Sequence, residues 1–537
     1  MEQNYTYPLN DHVPSIRSIP DMLAVMAENK PDGVAFRYRK GRSEIEEKTY
    51  SDVYREVRKA ASWISRNYGK GQHIAVIGEN SYEWLLAFFA VLSSGNTAVV
   101  IDKELPAKEV AWMIGKADVT AVFISKSFSD LLEGIADLKI MTLKGLQEAA
   151  QEEDEAFRLC EPEGDRCASI LFTSGTSGRS KGVMLSHNNL TAEVVNTCRM
   201  FDLGEISTIL AVLPFHHAFG LVSSIMMPYL LGVSIFLNKS LKRVAEDMQL
   251  AKPDMMMLVP MFVEVFYKRI RDELKKSGRL ELVEMAIAQS LQMRKAGVDD
   301  RRERFKALLA FFGGNLRTII SGGAYLDPSY IKAYDCIGID ILNGYGATEC
   351  SPTVSTNWLH CRREGSVGIP IRDVEVRTAP DGEVQVKGPI TMMGYYKDPE
   401  ETAKALQDGW YCTGDLGHVD EDGFVFLTGR KKNLIILSNG ENISPEELEN
   451  DFRLDPGVNE VLVYDRKSKI IAEILPEEEF MGNQEYFNAL MEKVNEGRPV
   501  YKQVAKVILR TEDFIRNSNK KIVRYKNIPK EEEENNV

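Results

Sequence analysis

The stretch LFTSGTSGRSKGVMLSH, Leu171–His187, sets six hydroxyl or glycine residues in a row, adds a basic residue on each side of Ser180, and then resumes an apolar run. A loop that flexible costs conformational entropy and buries almost nothing, so packing does not account for it. Upstream lies ASILF, an apolar strand pattern, and downstream a stretch that reads as a helix. A strand–loop–helix placement suits anion binding, because glycine lets backbone amides turn inward as a nest for phosphate oxygens. Ser and Thr hydroxyls add donors and Lys181 a mobile charge. It is not a Walker loop, since Ser180 stands five residues after Gly175 where GxxxxGK needs glycine. By itself the loop also fits a flexible Ser/Gly linker.

Outward from the loop, short apolar runs alternate with helix patterns. HIAVIGEN, NTAVVIDKE, VTAVFISK, VSIFLN, DMMMLVP, LRTIISGG and IDILNGYG read as buried strands, and SYEWLLAFFAVLSSG and PSYIKAYDCIG as helices between them. This alternation predicts an α/β fold with mostly parallel sheets flanked by helices. Past residue 370, VEVRTAPDGEVQVKG and GHVDEDGFVFLTG each alternate about an Asp-Gly pair, as β-hairpins of a β-rich subdomain do. GRKKN, nearly free of apolar residues, marks a boundary. SPEELEN then offers Ser444 as N-cap, Pro445 at the first helical position and Glu447 to close a capping box. The expected organisation is a large domain over 1–429, a hinge at 430–433 and a small mobile α+β domain over 434–537.

With 537 residues, 44% hydrophobic and 27% charged, the chain reads as a globular protein of two or three domains. A net charge of −13 argues against nucleic acid as a partner. Seven scattered cysteines without a CxxC pair read as reduced thiols in a cytoplasmic protein, and the N-terminus carries no signal-peptide pattern. Phe219–Leu237 runs without a charge, but Pro228, Gly232 and Ser223-Ser224 divide it into helix, turn and strand, so no transmembrane span is expected. The Phe262–Phe312 span reads as helical. Its basic edge of Arg301, Arg302, Arg304 and Lys306 is either a solvated face or a dock for an acidic partner.

The loop has companions: LPFHHAFG (213–220), SGGA (321–324), NGYGATE (343–349), YCTGDLG (411–417), GRKKN (429–433) and NSNKKIVR (517–524). In this order and spacing, from about residue 15 to 526, the chain resembles the adenylate-forming (AMP-binding) enzymes, and in wording most closely the long-chain fatty acyl-CoA ligases. The resemblance implies attack of a carboxylate on the α-phosphate of ATP, release of pyrophosphate, and displacement of AMP by a thiol, with ATP, Mg2+ and coenzyme A as cofactors.

It also implies roles. Thr173, Ser174, Gly175, Thr176, Ser177, Gly178 and Lys181 would hold the β- and γ-phosphates. Tyr345, with Gly322, Gly323, Ala324, Asn343, Gly344 and Gly346, would hold adenine, although a core tyrosine is the alternative. Thr348 would bond a phosphate oxygen and Glu349 magnesium. Asp415 would take the ribose hydroxyls, unless it merely caps its own turn, and Arg430 would join it. Lys432 would be the hinge and Gly440 would face the thiol. His217, selected over His216 by its spacing from Pro214 and Gly220, would line the acyl entrance, with Phe215, Phe219 and Leu221 in the acyl pocket. Lys521 would bridge carboxylate and α-phosphate, with Lys520 standing where the family has glycine. Asn433 stands where the family has an acid.

No acid occurs from Leu213 to Asn238, which argues against an amino-acid substrate, whose ammonium needs a partner. A hydrophobic acid remains, fatty, aromatic or sterol-like. The acceptor is coenzyme A, or alternatively a separate acyl carrier protein. A luciferase-like oxidase would share the adenylate. A silent nucleotide binder would be expected to lack Glu349, Asp415 or the late lysine, and none is missing.

Overall fold

The computed structural model describes residues 10, 12–41, 44–152, 154, 157–160, 164–173, 180–201, 206–436, 442–466, 469–516 and 522–529. The chain divides into two compact units. One comprises Met1–Arg377, Gln385–Cys412 and Val419–Val425, and the other Thr378–Val384, Thr413–His418 and Phe426–Val537.

In the first unit the apolar runs form two mainly parallel sheets, as expected. One has, among the described residues, nine strands. Its parallel centre runs Asp340–Gly346, Thr318–Ser321, Met255–Leu258, Thr208–Ala211, Ser234–Leu237 and Val34–Arg39. Antiparallel strands flank it: Thr353–Thr356 and Ile369–Pro370 on one side, Ile45–Thr49 on the other. The other sheet has seven strands among the described residues. Cys167–Thr173, Thr97–Ile101, His73–Ile77, Val119–Ile124 and Lys139–Thr142 are parallel, and Lys181–Ser186 and Gly394–Tyr395 are antiparallel additions. Strands buried on both faces need apolar side chains on both, which is why these runs are continuous rather than alternating.

The helix Tyr82–Ser93 is apolar on nearly every face, and all of its residues except Glu83 are buried. Ser81 caps it by accepting from Trp84 N, and it packs on the strands His73–Ile77 and Thr97–Ile101. Its aromatic rings face the loop and helix beyond: Trp84 lies 5.7 Å from Phe215 and Phe89 lies 6.4 Å from Tyr229, centroid to centroid. The charge-free segment also takes the expected form. A π-helical turn, Phe219–Met226, leads into Met227–Leu230, a turn at Gly232 with φ +73°, and the strand Ser234–Leu237. Among the described residues no helix is long and apolar enough to cross a membrane.

Two expectations need correction here. The segment after the glycine-rich loop is a strand, Lys181–Ser186, paired antiparallel with Cys167–Thr173, and the helix begins only at His187. KGVMLS gains a full ladder against ASILFT, and Ser186 with Asn189 forms the capping box that delays the helix. The loop therefore connects the two strands of a hairpin, and the helix starts only after the second strand. The basic edge is the second case. Arg301 bonds Asp299 and Asp335, Arg302 donates to the carbonyls of Leu316 and Gly338, and Arg304 pairs with Asp300. Arg301 and Arg302 are half-buried and brace the fold, whereas Arg304 and Lys306 remain exposed.

In the second unit, Val458–Arg466 pairs antiparallel with Lys469–Pro476, which pairs parallel with Val504–Leu509. The helices Pro445–Arg453 and Gln484–Asn495 close a core containing Leu448, Phe452, Val461, Ile474 and Phe487. Ser444 and Pro445 stand at the helix start as expected, but there is no capping box. The Ser444 hydroxyl donates to Thr428 O at 2.7 Å, drawn there by a strand that passes so close that a Cβ on Gly429 would lie 2.0 Å from it, and Glu447 is exposed. Both Asp-Gly pairs close tight turns, with Ala379 N donating to Glu383 O and Asp420 N to Phe424 O.

One buried carboxyl makes the first unit pH-sensitive. Glu193, on the helix His187–Met200, is 1% exposed, accepts from Thr197 Oγ1 at 3.1 Å and is hydrogen-bonded to Thr353. Burial pushes its pKa up to about 8 from an ordinary 4.5. Between those values the native chain holds a proton that the unfolded chain has released. Stability therefore falls as pH rises through that window, by ~1.4 kcal/mol for each step of one in pH. Thermal melts from pH 5 to 8.5 should decline less steeply for Glu193→Gln than for the parent. Parallel declines would mean that Glu193 is ionised in the folded protein.

Candidate active site

The hairpin that carries the opening loop sets Thr173 opposite Lys181. Ser174, Gly175, Thr176, Ser177 and Gly178 lie outside the described residues. Lys181 bonds the carboxylate of Glu401, and its Nζ stands 4.8 Å from the centroid of the Tyr395 ring. The Lys181 bond, then that of Lys404, holds the Glu401 carboxyl at about 2, well below its usual range. Tyr395 in turn donates its hydroxyl to Glu349 Oε1 at 2.9 Å. Burial, reinforced by the Glu349 charge, raises the Tyr395 phenol, so it remains a donor. A line of alternating character results: carboxylate, ammonium, ring face, phenol, carboxylate.

Glu349 sits in a single 3-10 turn, Thr348–Cys350, between the strands Asp340–Gly346 and Thr353–Thr356. Met392 N donates to its carbonyl at 2.8 Å. The turn is tight enough to demand glycine before it, since a Cβ on Gly346 would lie 1.9 Å from Pro352 O. Beside it, Ser321 and Asn343 are register partners on adjacent parallel strands, so the SGGA and NGYGATE loops leave the same sheet edge together. A Cβ on Gly322 would meet the Phe219 ring at 3.3 Å and Gly344 O at 3.5 Å, and Gly323 takes φ +83°. Ala324 is exposed, Thr348 half-buried and Tyr345 9% exposed. The structure thus brings Gly322, Gly344, Phe219 and the Glu349 turn together.

The histidine loop is fixed from behind. Asn80 donates to Leu213 O at 2.8 Å and accepts from Phe215 N at 3.0 Å. A Cβ on Gly220 would lie 2.1 Å from Pro214 O, the physical reason for the proline–glycine spacing that selects His217. Phe215 and Leu221 are each 1% exposed and belong to the interior, Phe215 packing on Trp84. Phe219 alone of the three is partly exposed. His217 is partly exposed, and His216 reaches Asp102 at 3.4 Å.

In the second unit, Arg430 Nε meets Asp415 Oδ1 at 2.8 Å. The Thr413 hydroxyl takes the Asp415 N–H at 3.0 Å, so the carboxylate is not needed to cap its own turn. Lys432 lies exposed in the 3-10 turn Lys431–Asn433, where Lys431 bonds Asp381 and Glu383 and Asn433 donates to Glu446 at 2.5 Å. Gly440, Lys520 and Lys521 lie outside the described residues. After Lys521, Ile522 packs on a cluster containing Leu462, Tyr464 and Phe514, and Arg524 pairs with buried Glu449 at 2.8 Å.

Tyr395 and Glu401, which contact Glu349 and Lys181, are not evident in the sequence, because each meets a partner distant in the chain. GYYKDPEET, where Gly394 takes φ +135° beside Thr402, is the one local signal for both.

The AMP-binding enzyme family model matches residues 23–396. The chain belongs to that family. It is 30% identical over 449 residues to the long-chain-fatty-acid–CoA ligase FadD15 of Mycobacterium bovis, covering 77% of this chain and 74% of that one. It is 28% identical over 431 residues to the 2-succinylbenzoate–CoA ligase of Listeria innocua, covering 78% and 81%. The fold matches that of o-succinylbenzoate CoA synthetase from Bacillus subtilis, solved with its acyl-adenylate, at a TM-score of 0.75 and 22% identity over 94% of this chain and 97% of that chain. As an AMP-binding enzyme it is an adenylate-forming ligase that works with ATP, Mg2+ and coenzyme A. Among the described residues no group of three or more His, Cys, Asp and Glu could hold a metal ion. Magnesium on a triphosphate needs none, since phosphate oxygens, water and one carboxylate fill its shell, and Glu349 suits that place.

Phosphate must draw Lys181 away from Glu401 if Lys181 is to bind it. A partly exposed pair is worth roughly 1 kcal/mol, so Glu401→Gln should tighten ATP binding by about fivefold in a calorimetric titration, while Lys181→Ala weakens it. Weaker binding in Glu401→Gln would show that Glu401 holds Lys181 in its working position.

Proposed function

We propose that this enzyme activates a hydrophobic carboxylic acid, foremost a fatty acid, as its acyl adenylate and passes the acyl group to coenzyme A, as a cytoplasmic acyl-CoA synthetase. The observation that carries the reading is the Lys181–Tyr395–Glu349 line beside the Gly322 and Gly344 loops, at the carboxyl end of parallel strands. The 30% identity to a long-chain-fatty-acid–CoA ligase and the acid-free Leu213–Asn238 segment support the substrate class. All seven cysteines are free, which suits a reducing compartment. An aromatic acid is the second reading, on the 28% identity to a 2-succinylbenzoate–CoA ligase.

In the mechanism, Lys181, Thr173 and the loop 174–178 hold the β- and γ-phosphates. Thr348 orients the α-phosphate, and Tyr345 with Gly322–Ala324 and Asn343–Gly346 holds adenine. Asp415, oriented by Arg430, takes the ribose hydroxyls. Glu349 would hold magnesium, which when bound would neutralise phosphate charge as it develops. Lys521 sets a carboxylate oxygen against the α-phosphorus: the new O–P bond forms as the bond to pyrophosphate breaks. A thiolate then adds to the acyl carbon, and AMP leaves with the former carboxylate oxygen. His217 and Phe219 flank the acid. Lys432 is the hinge between a domain of residues 1–429 and one of 434–537, and Gly440 faces the thiol. With Arg301 and Arg302 of the basic edge committed to fold contacts, an acyl carrier protein is the weaker choice of acceptor.

Pyrophosphate release should be measured with acids from acetate through palmitate plus aromatic and sterol acids, with and without coenzyme A. We expect turnover with long aliphatic acids and thioester only with coenzyme A. Lys521→Ala should lower adenylation by about 10²-fold or more, on the scale of a lost transition-state donor, and Lys520→Ala should not. Preference for aromatic acids would move the reading to the second class. Adenylate without thioester would point to a carrier protein.

A further inference from the structure

Glu349 is carried by a single 3-10 turn, Thr348–Cys350, and its side chain would lose rotamer freedom whenever a cation fixed it. One short segment grips this residue at both ends. Met392 N donates to the Glu349 carbonyl at 2.8 Å, and three residues on the Tyr395 hydroxyl donates to Oε1 at 2.9 Å. Met392 and Tyr395 are both buried. The segment is itself held. Tyr395 N donates to Thr402 Oγ1 at 2.9 Å, Met393 N to Met184 O at 3.0 Å and Tyr396 N to Gly182 O at 2.8 Å. Gly182 and Met184 lie on the strand Lys181–Ser186, so the grip on Glu349 is in register with the strand that carries Lys181. Buried Tyr411 is hydrogen-bonded to Tyr395. A phenol has one proton, and that of Tyr395 is given to Glu349, so Tyr411 is the donor in this second bond.

We propose that Tyr395 is a positioning residue for Glu349: its hydroxyl holds Oε1, fixes the carboxylate in relation to the Lys181 hairpin and leaves Oε2 for magnesium. This rests on the metal role given to Glu349 under the proposed function. Magnesium demands near-ideal octahedral geometry, so a carboxylate oxygen set in advance matters more to it than to a looser cation. Groups bonded to a ligating carboxylate orient it and raise metal affinity in this way. A buried pair that merely satisfied its own hydrogen bonds would show the same distances but no response to the cation. Phenylalanine at position 395 keeps the ring face that lies 4.8 Å from Lys181 Nζ and removes only the hydroxyl. ATP binding without metal should therefore survive that change, whereas the gain from magnesium should not.

Calorimetric titration with ATP, in EDTA and in excess magnesium, tests this. The readout is the dissociation constant in EDTA divided by that in magnesium. In Tyr395→Phe this ratio should fall about tenfold, the scale of one hydrogen bond to a charged group, with binding in EDTA unchanged. In the Glu349→Gln background, Tyr395→Phe should cause no further fall. If Tyr395→Phe does not fold, by its thermal melt, Tyr411→Phe takes its place in the same cycle. An unchanged ratio, an equal weakening with and without magnesium, or equal falls in both backgrounds would overturn the proposal and leave the Glu349 role standing. A parent-like ratio in Glu349→Gln would overturn that role and this proposal together.

Discussion

Bringing a carboxylate up to a triphosphate sets like charges together, and at 4 Å each such pair repels by about 4 kcal/mol at an effective dielectric of about 20. The site therefore has to supply positive charge and donors without trapping them on its own acids. The line from Glu401 through Lys181 and Tyr395 to Glu349 is a way of doing so. Lys181 is held ready on a carboxylate and an aromatic face, neither of which binds it as strongly as phosphate oxygens can. Glu349 is kept from Lys181 by the intervening phenol, whose proton it accepts. Each acid is thus occupied by a different donor. Lys181 and Tyr395 lie on neighbouring antiparallel strands of the seven-stranded sheet, and Glu349 in the turn that follows the strand Asp340–Gly346.

Glycine supplies the closeness that such a site requires. Gly220 and Gly346 each lie where a Cβ would strike a backbone carbonyl, at 2.1 and 1.9 Å. At both positions two stretches of main chain touch directly: the histidine loop folds on Pro214, and the Glu349 turn folds on Pro352. Some of the motif glycines therefore shape the site through main-chain contact alone, with no need to touch nucleotide. Gly323, at φ +83°, belongs to another kind, since its conformation and not its surroundings excludes a side chain.

Legibility followed the range of the interaction. The buried strands, the largely apolar helix Tyr82–Ser93 and the break at Gly232 are written in local pattern, and they stand where that pattern puts them. The family is legible because seven motifs keep their order. What failed was pairing. KGVMLS reads as the approach to a helix until ASILFT is seen beside it, and Ser444 reads as a cap until Thr428 takes its hydroxyl. Arg301, Arg302 and Arg304 look like a charged surface in sequence because Asp335 and the carbonyls of Leu316 and Gly338 are far away in the chain. Tyr395 and Glu401 escape notice for the same reason: neither is unusual beside its own neighbours.

In the proposed reaction a carboxylate oxygen of the substrate becomes an oxygen of AMP, and every role assigned to the site depends on that transfer. Turnover of a fatty acid labelled with 18O in its carboxylate, with ATP, magnesium and coenzyme A, tests it in one experiment read by mass spectrometry of the products. The expected result is one 18O in AMP and none in pyrophosphate. Label in inorganic phosphate, accompanied by ADP, would mean an acyl phosphate intermediate and would contradict the adenylate route.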